Sequence, residues 1–207
     1  MAVHPTAIID PGVTIGRQTA IWDHVHIRHS THIGEECIIG EKTYIAYDVH
    51  IADRVKINAF VYICTGVTIE RGVMIAAGTV FTNDRFPRAT TADFRQLLPS
   101  EPDEDTLRTL VREGATIGAQ STISGGITIG RFAMIGMGSV VTHDVPDFVL
   151  AIGNPARPAG YVCSCGRPLY PNGERLTQGE EQTDCAACGA RFAIHGLRVA
   201  ELARALR

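Results

Sequence analysis

Cys163, Cys165, Cys185 and Cys188 form two pairs about twenty residues apart, and Gly166 and Gly189 follow the second cysteine of each. Four soft thiolates in that order can meet tetrahedrally around Zn²⁺ as a closed structural site. The first knuckle is Cys-x-Cys rather than the commoner Cys-x-x-Cys, and Cys185-x-x-Cys188 alone also permits a redox-active dithiol. The remaining cysteines, Cys37 and Cys64, lie far from this cluster and read as small core or wall residues. Imidazole is the second chemical resource, with eight histidines in the chain. His32 and His50 are eighteen positions apart, and His26, Tyr44 and Tyr62 make a second series of the same spacing. What such series can do depends on the elements that carry them.

Val3, Ile9, Ile15 and Ile21 begin a row of residues six apart that runs unbroken through Ile75 to Phe81 and resumes from Ile117 to Val141. Four residues after each stands a small or β-branched side chain, as at Thr19, Val25, Thr31, Cys37 and Thr43. A helix of period 3.6 cannot hold residues six apart on one face, and two-residue alternation would not single them out. Sandwich strands would need turn signals about every 8–12 residues and would not keep a six-residue phase. A hexapeptide repeat is instead the signature of an all-β fold, the parallel β-helix. Each hexapeptide supplies one short strand and a corner, three make a coil of 18 residues, and coils stack about 4.8 Å apart. Large aliphatics pile into columns inside a triangular prism, and the small residues fill the corners beside them. Pro11-Gly12, Gly66, Gly72 and Gly78 fall where turns or positive φ are needed. Residues eighteen apart then share a wall. His32 and His50, like His26, Tyr44 and Tyr62, each precede a repeat position and should point outward.

The repeat organises the chain into a β-helix over residues 1–160 and a tail over 161–207. Within the β-helix the phase is lost in a long excursion, 84–113, which holds an acidic turn over Pro99–Asp105 and a stretch, Thr106–Arg112, that can form a short helix. A loop this long in a compact domain suggests function or disorder. Repeat resumes over 114–145 and ends in an extended closing segment, Val149–Gly160. In the tail, Leu197, Leu202 and Leu206 sit on one side of an expected amphipathic helix. About forty-five residues bury little apolar area alone, so a metal would decide whether this segment folds. With 207 residues, 45% hydrophobic and a net charge of −3, the chain reads as a soluble protein without a nucleic-acid footprint. It shows neither a basic-then-apolar leader nor an apolar run of about 18 residues, which predicts a cytoplasmic protein without membrane insertion.

Repeat, excursion, second repeat block and the closing Ile152-Gly-Asn-Pro-Ala-Arg157 together resemble the hexapeptide acyltransferases. The resemblance covers residues 1–160 and implies a left-handed β-helix working as a homotrimer on acetyl-CoA; general crossover statistics favour the opposite hand. His4-Pro5, Trp22, Val25-His26-Ile27, Phe81-Thr82-Asn83 and Pro87-Arg88 look most like UDP-2-acetamido-3-amino-2,3-dideoxyglucuronate N-acetyltransferases. These act on a nucleotide-linked amino sugar destined for surface polysaccharide. The resemblance implies that the acetyl-CoA arm passes Ala119, Met137 and Thr142, with Arg157 toward the nucleotide phosphates. His143 stands where the family often has a lysine, an imidazole in place of an ammonium. Arg157 otherwise reads as a solvated arginine.

Hexapeptide enzymes that acetylate sugar hydroxyls carry a histidine directly after an asparagine near the start of the excursion, since a hydroxyl needs a general base. Here that place reads Asn83-Asp84. A neutral amine already offers a lone pair, so the family mechanism implies direct attack on the thioester, with Asn83 orienting amine or carbonyl. Asn83 also reads as a turn residue tolerating left-handed φ. The outward stripe of His26, Tyr44 and Tyr62 reads as a substrate-binding wall or a subunit interface, with Arg88 implied beside the substrate, or else as a solvated ladder. The alternatives are a sugar O-acetyltransferase, a γ-type carbonic anhydrase with three histidines on zinc, and a non-catalytic scaffold carrying a zinc ribbon. If the tail is only a ribbon, a chain truncated near Gly160 keeps acetyl transfer.

Overall fold

The structure, a computed structural model, describes residues 2–100, 102–170 and 176–203. Two-residue strands end on each repeat position and stack into three parallel sheets, the faces of a left-handed β-helix. Register follows the repeat: Ile39 lies opposite Ile21 and Ile57 on the first face, Ile45 opposite Ile27 and Ile63 on the second, and Ile51 opposite Ile33 and Ile69 on the third. These aliphatics are buried and form one continuous column of core. The corner residues are satisfied as well as small. Thr19, Thr31 and Thr43 are buried, and their hydroxyls donate to Gly34 O, Ala46 O and Asn58 O at 2.8, 2.8 and 3.1 Å, so no buried polar group is left without a partner at these corners.

Most corners also hold one residue in the left-handed region. Gly12, Gly66, Gly72 and Gly78 supply it as expected, but so do Gln18, His24, Ser30, Glu36, Lys42, Asp48, Arg54 and Phe60, which all have positive φ. Each non-glycine there costs on the order of 1–2 kcal/mol, and the ladder and core on either side hold it in place.

The excursion is shorter than the sequence suggests. Leu107 N–H donates to Asn83 O at 2.8 Å, so the departing and returning strands meet at one corner. The helix expected over 106–112 is instead a strand, Thr109–Val111, paired with Val67–Ile69 on the third face. Val111 fills a repeat position and is fully buried, which a helix could not arrange. Coil therefore resumes at Thr109, and Val111 opposite Ile69 is followed by Ile129 in the normal eighteen-residue step.

The coil ends in an antiparallel hairpin, Val149–Gly153 with Ala156–Tyr161, whose first strand still pairs with Met134–Ile135. The tail adds three antiparallel strands, Glu180–Asp184, Arg191–His195 and Arg198–Ala203. The expected helix over 197–206 is thus a strand. Gly196, with φ of 56°, turns the chain, and Ile194 then faces β-branched Val199 across a hairpin. Leu197 and Leu202 are exposed, and Leu206 lies outside the described residues. Phe148, at the last corner of the coil, stacks on Phe132 and meets Phe192 of the tail edge-on, both at 5.4 Å between centroids. Tyr161 is fully buried, and its hydroxyl donates to Gly196 O at 2.6 Å. The tail sheet therefore covers the open end of the prism.

Candidate functional site

Two residues past each repeat position on the second face, the chain turns a corner. There His29, Tyr47, Thr65, Asn83, Gly125 and His143 follow one another down successive coils. Asn83 sits where the excursion leaves and returns. It is half-buried, its φ is not in the left-handed region, and its amide reaches toward Thr65 O at 3.5 Å. Its coil neighbours on this corner are Thr65 above and Gly125 below, so no imidazole adjoins it in the column. Gly125 is required by closeness: a Cβ there would lie 2.9 Å from Asn83 Cα and 3.0 Å from Thr82 O. Beside Asn83, Cys64 is buried and burial pushes its thiol up to about 12, which suits a wall residue rather than a nucleophile.

The second face carries the expected outward column. His26 meets Tyr44 edge-on and Tyr44 stacks parallel on Tyr62, each at 5.4 Å. Tyr62 pairs with Val80 in the same strand as Phe81, one coil above Asn83. The third face carries His32 stacked on His50 at 5.0 Å, with Thr14 hydrogen-bonded to His32 at 2.7 Å. Arg88 stands on the excursion, exposed, and donates to Pro87 O at 3.2 Å. A feature that sequence reading passed over lies at the top of the second face. Arg28 donates through Nε to Asp10 at 2.7 Å and through Nη1 to the Tyr44 hydroxyl at 3.1 Å. The Arg28 hydrogen bond holds the Asp10 carboxyl below the usual carboxylate range.

At the lower end, His143 and Arg157 line one cavity of about 270 Å³ between the last coil and the closing hairpin, with Val141, Val145 and Pro158 as apolar walls. Thr142 Oγ1 and His143 Nδ1 share a hydrogen bond of 2.9 Å. Ala119 and Met137 are adjacent to each other, with Gly138 N–H donating to Ala119 O at 2.8 Å, and Met137 is 83% exposed. They occupy the preceding corner, across the second face from Asn83 and His143. Within one chain, then, the residues implied for acetyl-CoA fall on two different edges of the prism.

The four tail cysteines converge. Cys163 and Cys188 sulfurs are 3.5 Å apart, Cys165 and Cys185 sulfurs 3.7 Å, and all four lie within 4.8 Å of one another. Tetrahedral Zn–S bonds of about 2.3 Å give sulfur separations of about 3.8 Å, whereas a disulfide needs about 2.05 Å. The donor set therefore fits Zn²⁺. Burial pushes the Cys163 and Cys165 thiols up. At Cys185 burial acts the same way, but hydrogen bonds from the Cys188 and Ala187 backbone outweigh it and bring the thiol down to about 7. Among the described residues this is the one group of three or more metal-capable side chains within ligand reach.

Comparison with known proteins matches the bacterial transferase hexapeptide (six repeats) to residues 12–47 and 48–83, and the hexapeptide repeat of succinyl-transferase to residues 113–143. The chain is 49% identical over 85 residues to dTDP-3-amino-3,6-dideoxy-alpha-D-galactopyranose 3-N-acetyltransferase of Aneurinibacillus thermoaerophilus, covering 41% of this chain and 40% of that protein. It is 51% identical over 47 residues to serine acetyltransferase of Haemophilus influenzae, covering 23% and 18%. The chain thus spans less than half the length of these curated relatives. In fold it is similar to a mutant of AntD, an N-acyltransferase from Bacillus cereus solved with dTDP and coenzyme A, at a TM-score of 0.52 and 17% identity over 78% of this chain and 80% of that one. Over residues 12–83 and 113–143 the chain therefore carries the six-residue repeat described for hexapeptide transferases.

Proposed function

We propose that this protein is an acetyl-CoA-dependent N-acetyltransferase acting on the amino group of a nucleotide-linked amino sugar, a 3-amino sugar or its uronate, for surface polysaccharide. The observation that carries this reading is Asn83 at the mouth of the excursion, flanked in its column by Thr65 and Gly125 rather than by a base. A neutral amine needs orientation, not deprotonation by the protein. Its nitrogen attacks the thioester carbonyl, the C–S bond breaks, the amide nitrogen gives up a proton and CoA leaves as the thiol. Similarity to a dTDP-amino-sugar 3-N-acetyltransferase supports the substrate class.

In the cavity lined by His143, Asp144 and Arg157, the Arg157 guanidinium is the group for the phosphates of coenzyme A, since it binds phosphate oxygens in a planar fork. Ala119 and Met137 complete that site from a neighbouring subunit, because they lie on another edge of their own prism; the working unit is a homotrimer. Cys163, Cys165, Cys185 and Cys188 hold one structural Zn²⁺, whose chemistry is to tie four thiolates from two loops together. The enzyme works in the cytoplasm. Among the described residues no helix is long and apolar enough to cross a membrane.

The test is CoA thiol release from acetyl-CoA against a panel of nucleotide-linked 3-amino and 4-amino sugars and their hydroxyl counterparts, with light scattering on the same sample. Amine-dependent release by a three-chain particle is expected. Turnover of the hydroxyl sugars would instead favour an O-acetyltransferase. Full turnover by a monomer at nanomolar concentration would remove the shared site.

A further inference from the structure

We propose that Arg28 binds the diphosphate of the nucleotide-linked sugar, at the far end of a surface strip that begins at Asn83; the proposal rests on the N-acetyltransferase reading and names where its substrate is anchored. In successive coils Arg28, Ala46, Cys64 and Thr82 occupy the place just after the repeat position on the second face. Between the two ends the floor is small and screened: Ala46 is 5% exposed and Cys64 3%. One side is the parallel pair Tyr44 and Tyr62. The other is Tyr47 and Thr65, and the Tyr47 hydroxyl donates to Ser100 O at 3.0 Å, which lays the excursion along that side.

Other arginines in the coil are spent on carboxylates. Arg17 donates Nε and Nη2 to both oxygens of Glu35, and Arg54 does the same to Glu36, with side chains 86% and 69% exposed. Those are solvated ladders worth little. Arg28 differs in geometry and in setting. Its side chain is 36% exposed, Asp10 takes Nε alone, Tyr44 takes Nη1, and neither of these bonds uses Nη2. With Nε held by a carboxylate and Nη1 by a tyrosine hydroxyl, the guanidinium is fixed in orientation and presents Nη2 to an anion. Arg28 stands three coils from Thr82, about 14 Å. One sugar ring does not span that distance. A sugar carrying a diphosphate does, with its ring lying against the tyrosine faces and its amine at Asn83.

The experiment compares wild type, Arg28→Gln and Arg28→Lys, with Arg17→Gln as the control from a solvated ladder. Calorimetry measures binding of UDP and of dTDP alone, and steady-state kinetics compares each nucleotide-linked amino sugar with the same sugar lacking the nucleotide. Arg28→Gln is expected to weaken nucleoside diphosphate binding by about ten- to a hundredfold and to raise KM for the linked sugar to match. The fall in kcat should be much smaller, and the effect on the unlinked sugar several-fold less. Arg28→Lys should recover part of the binding, and Arg17→Gln should match wild type. Unchanged UDP and dTDP binding in Arg28→Gln overturns the proposal, as does an equal loss for linked and unlinked sugars, which would make Arg28 a brace for Tyr44. Melting curves identify a misfolded Gln variant, and the Lys variant then decides by the same binding measurement. If nucleoside diphosphate binds through Arg28 but no amino sugar releases CoA, the anion site stands and the acetyl-transfer reading falls.

Discussion

A chain ended after Gly160 is expected to lose the lower end of its coil and its acetyl transfer together, although the sequence suggests two separable parts. Tyr161 is among the largest fully buried side chains, and Phe148 and Val149 beneath it are at most 1% exposed. Val162 N–H donates to Phe148 O at 2.8 Å, and Leu169 N–H to Tyr161 O at 3.0 Å. Removing the tail takes Tyr161 away and uncovers Phe148 and Val149 at about 1.5–3 kcal/mol each, a large share of a domain's margin of about 5–15 kcal/mol. Arg157 lies four residues before Tyr161 in the same strand, so the cavity that it lines with His143 loses its support. Circular dichroism melting and limited proteolysis check the prediction; a truncated chain that melts like the whole protein and transfers acetyl would sink it. Metal removal should act through the same contact. Elemental analysis is expected to find one zinc per chain, and chelation or Cys185→Ser should lower the melting temperature while freeing thiols to a colorimetric reagent. Folded, metal-free protein with a Cys–Cys bond would establish the redox reading instead.

Asn83→Ala is expected to reduce turnover by about 10²–10³, equivalent to about 2.7–4 kcal/mol for one oriented donor lost from a transition state. Acetyl-CoA affinity should change little, because the hydrogen bond is made chiefly as the reaction proceeds. The pH profile discriminates further. Rate should rise with pH as the sugar ammonium loses its proton, and that limb should move when a substrate with a different amine pKa is used. Single replacement of His24, His26, His29, His32, His50 and His143 by glutamine should leave the limb in place. Any one that abolishes chemistry while both substrates still bind would identify a protein base, and the O-acetyltransferase reading would then be the better one.

Much of this was legible because the repeat is strict. Each of Ile21, Ile39, Ile57 and Ile75 announces its neighbour by number, and from that alone come the faces, the core and the outward column of His26, Tyr44 and Tyr62. The same arithmetic links Asp10 to Arg28, eighteen apart, and could have exposed the arginine anchor had polar pairs been searched as the aromatics were. Other features were hidden for physical reasons. Thr109–Val111 follows a polar loop and offers too few residues for a period to show, so pairing to Val67–Ile69, not local pattern, decides that it is strand. Arg198–Ala203 has helix-forming residues on every side, and tertiary pairing with Arg191–His195 overrides them. The left-handed corners at Lys42, Arg54 and Phe60 carry no glycine to signal them.

The closed neck of the excursion bears on how such a protein can change. Because Leu107 returns to hydrogen-bond Asn83 at 2.8 Å, the register of the coil does not depend on how many residues lie between them. Loop-closure cost grows slowly, by about 0.6 kcal/mol per doubling of length. The segment bordering the Asn83 corner is therefore free to lengthen, shorten or be exchanged whole while the stack above and below stays in phase, so that sequence change is confined to one joint and stability is maintained everywhere else.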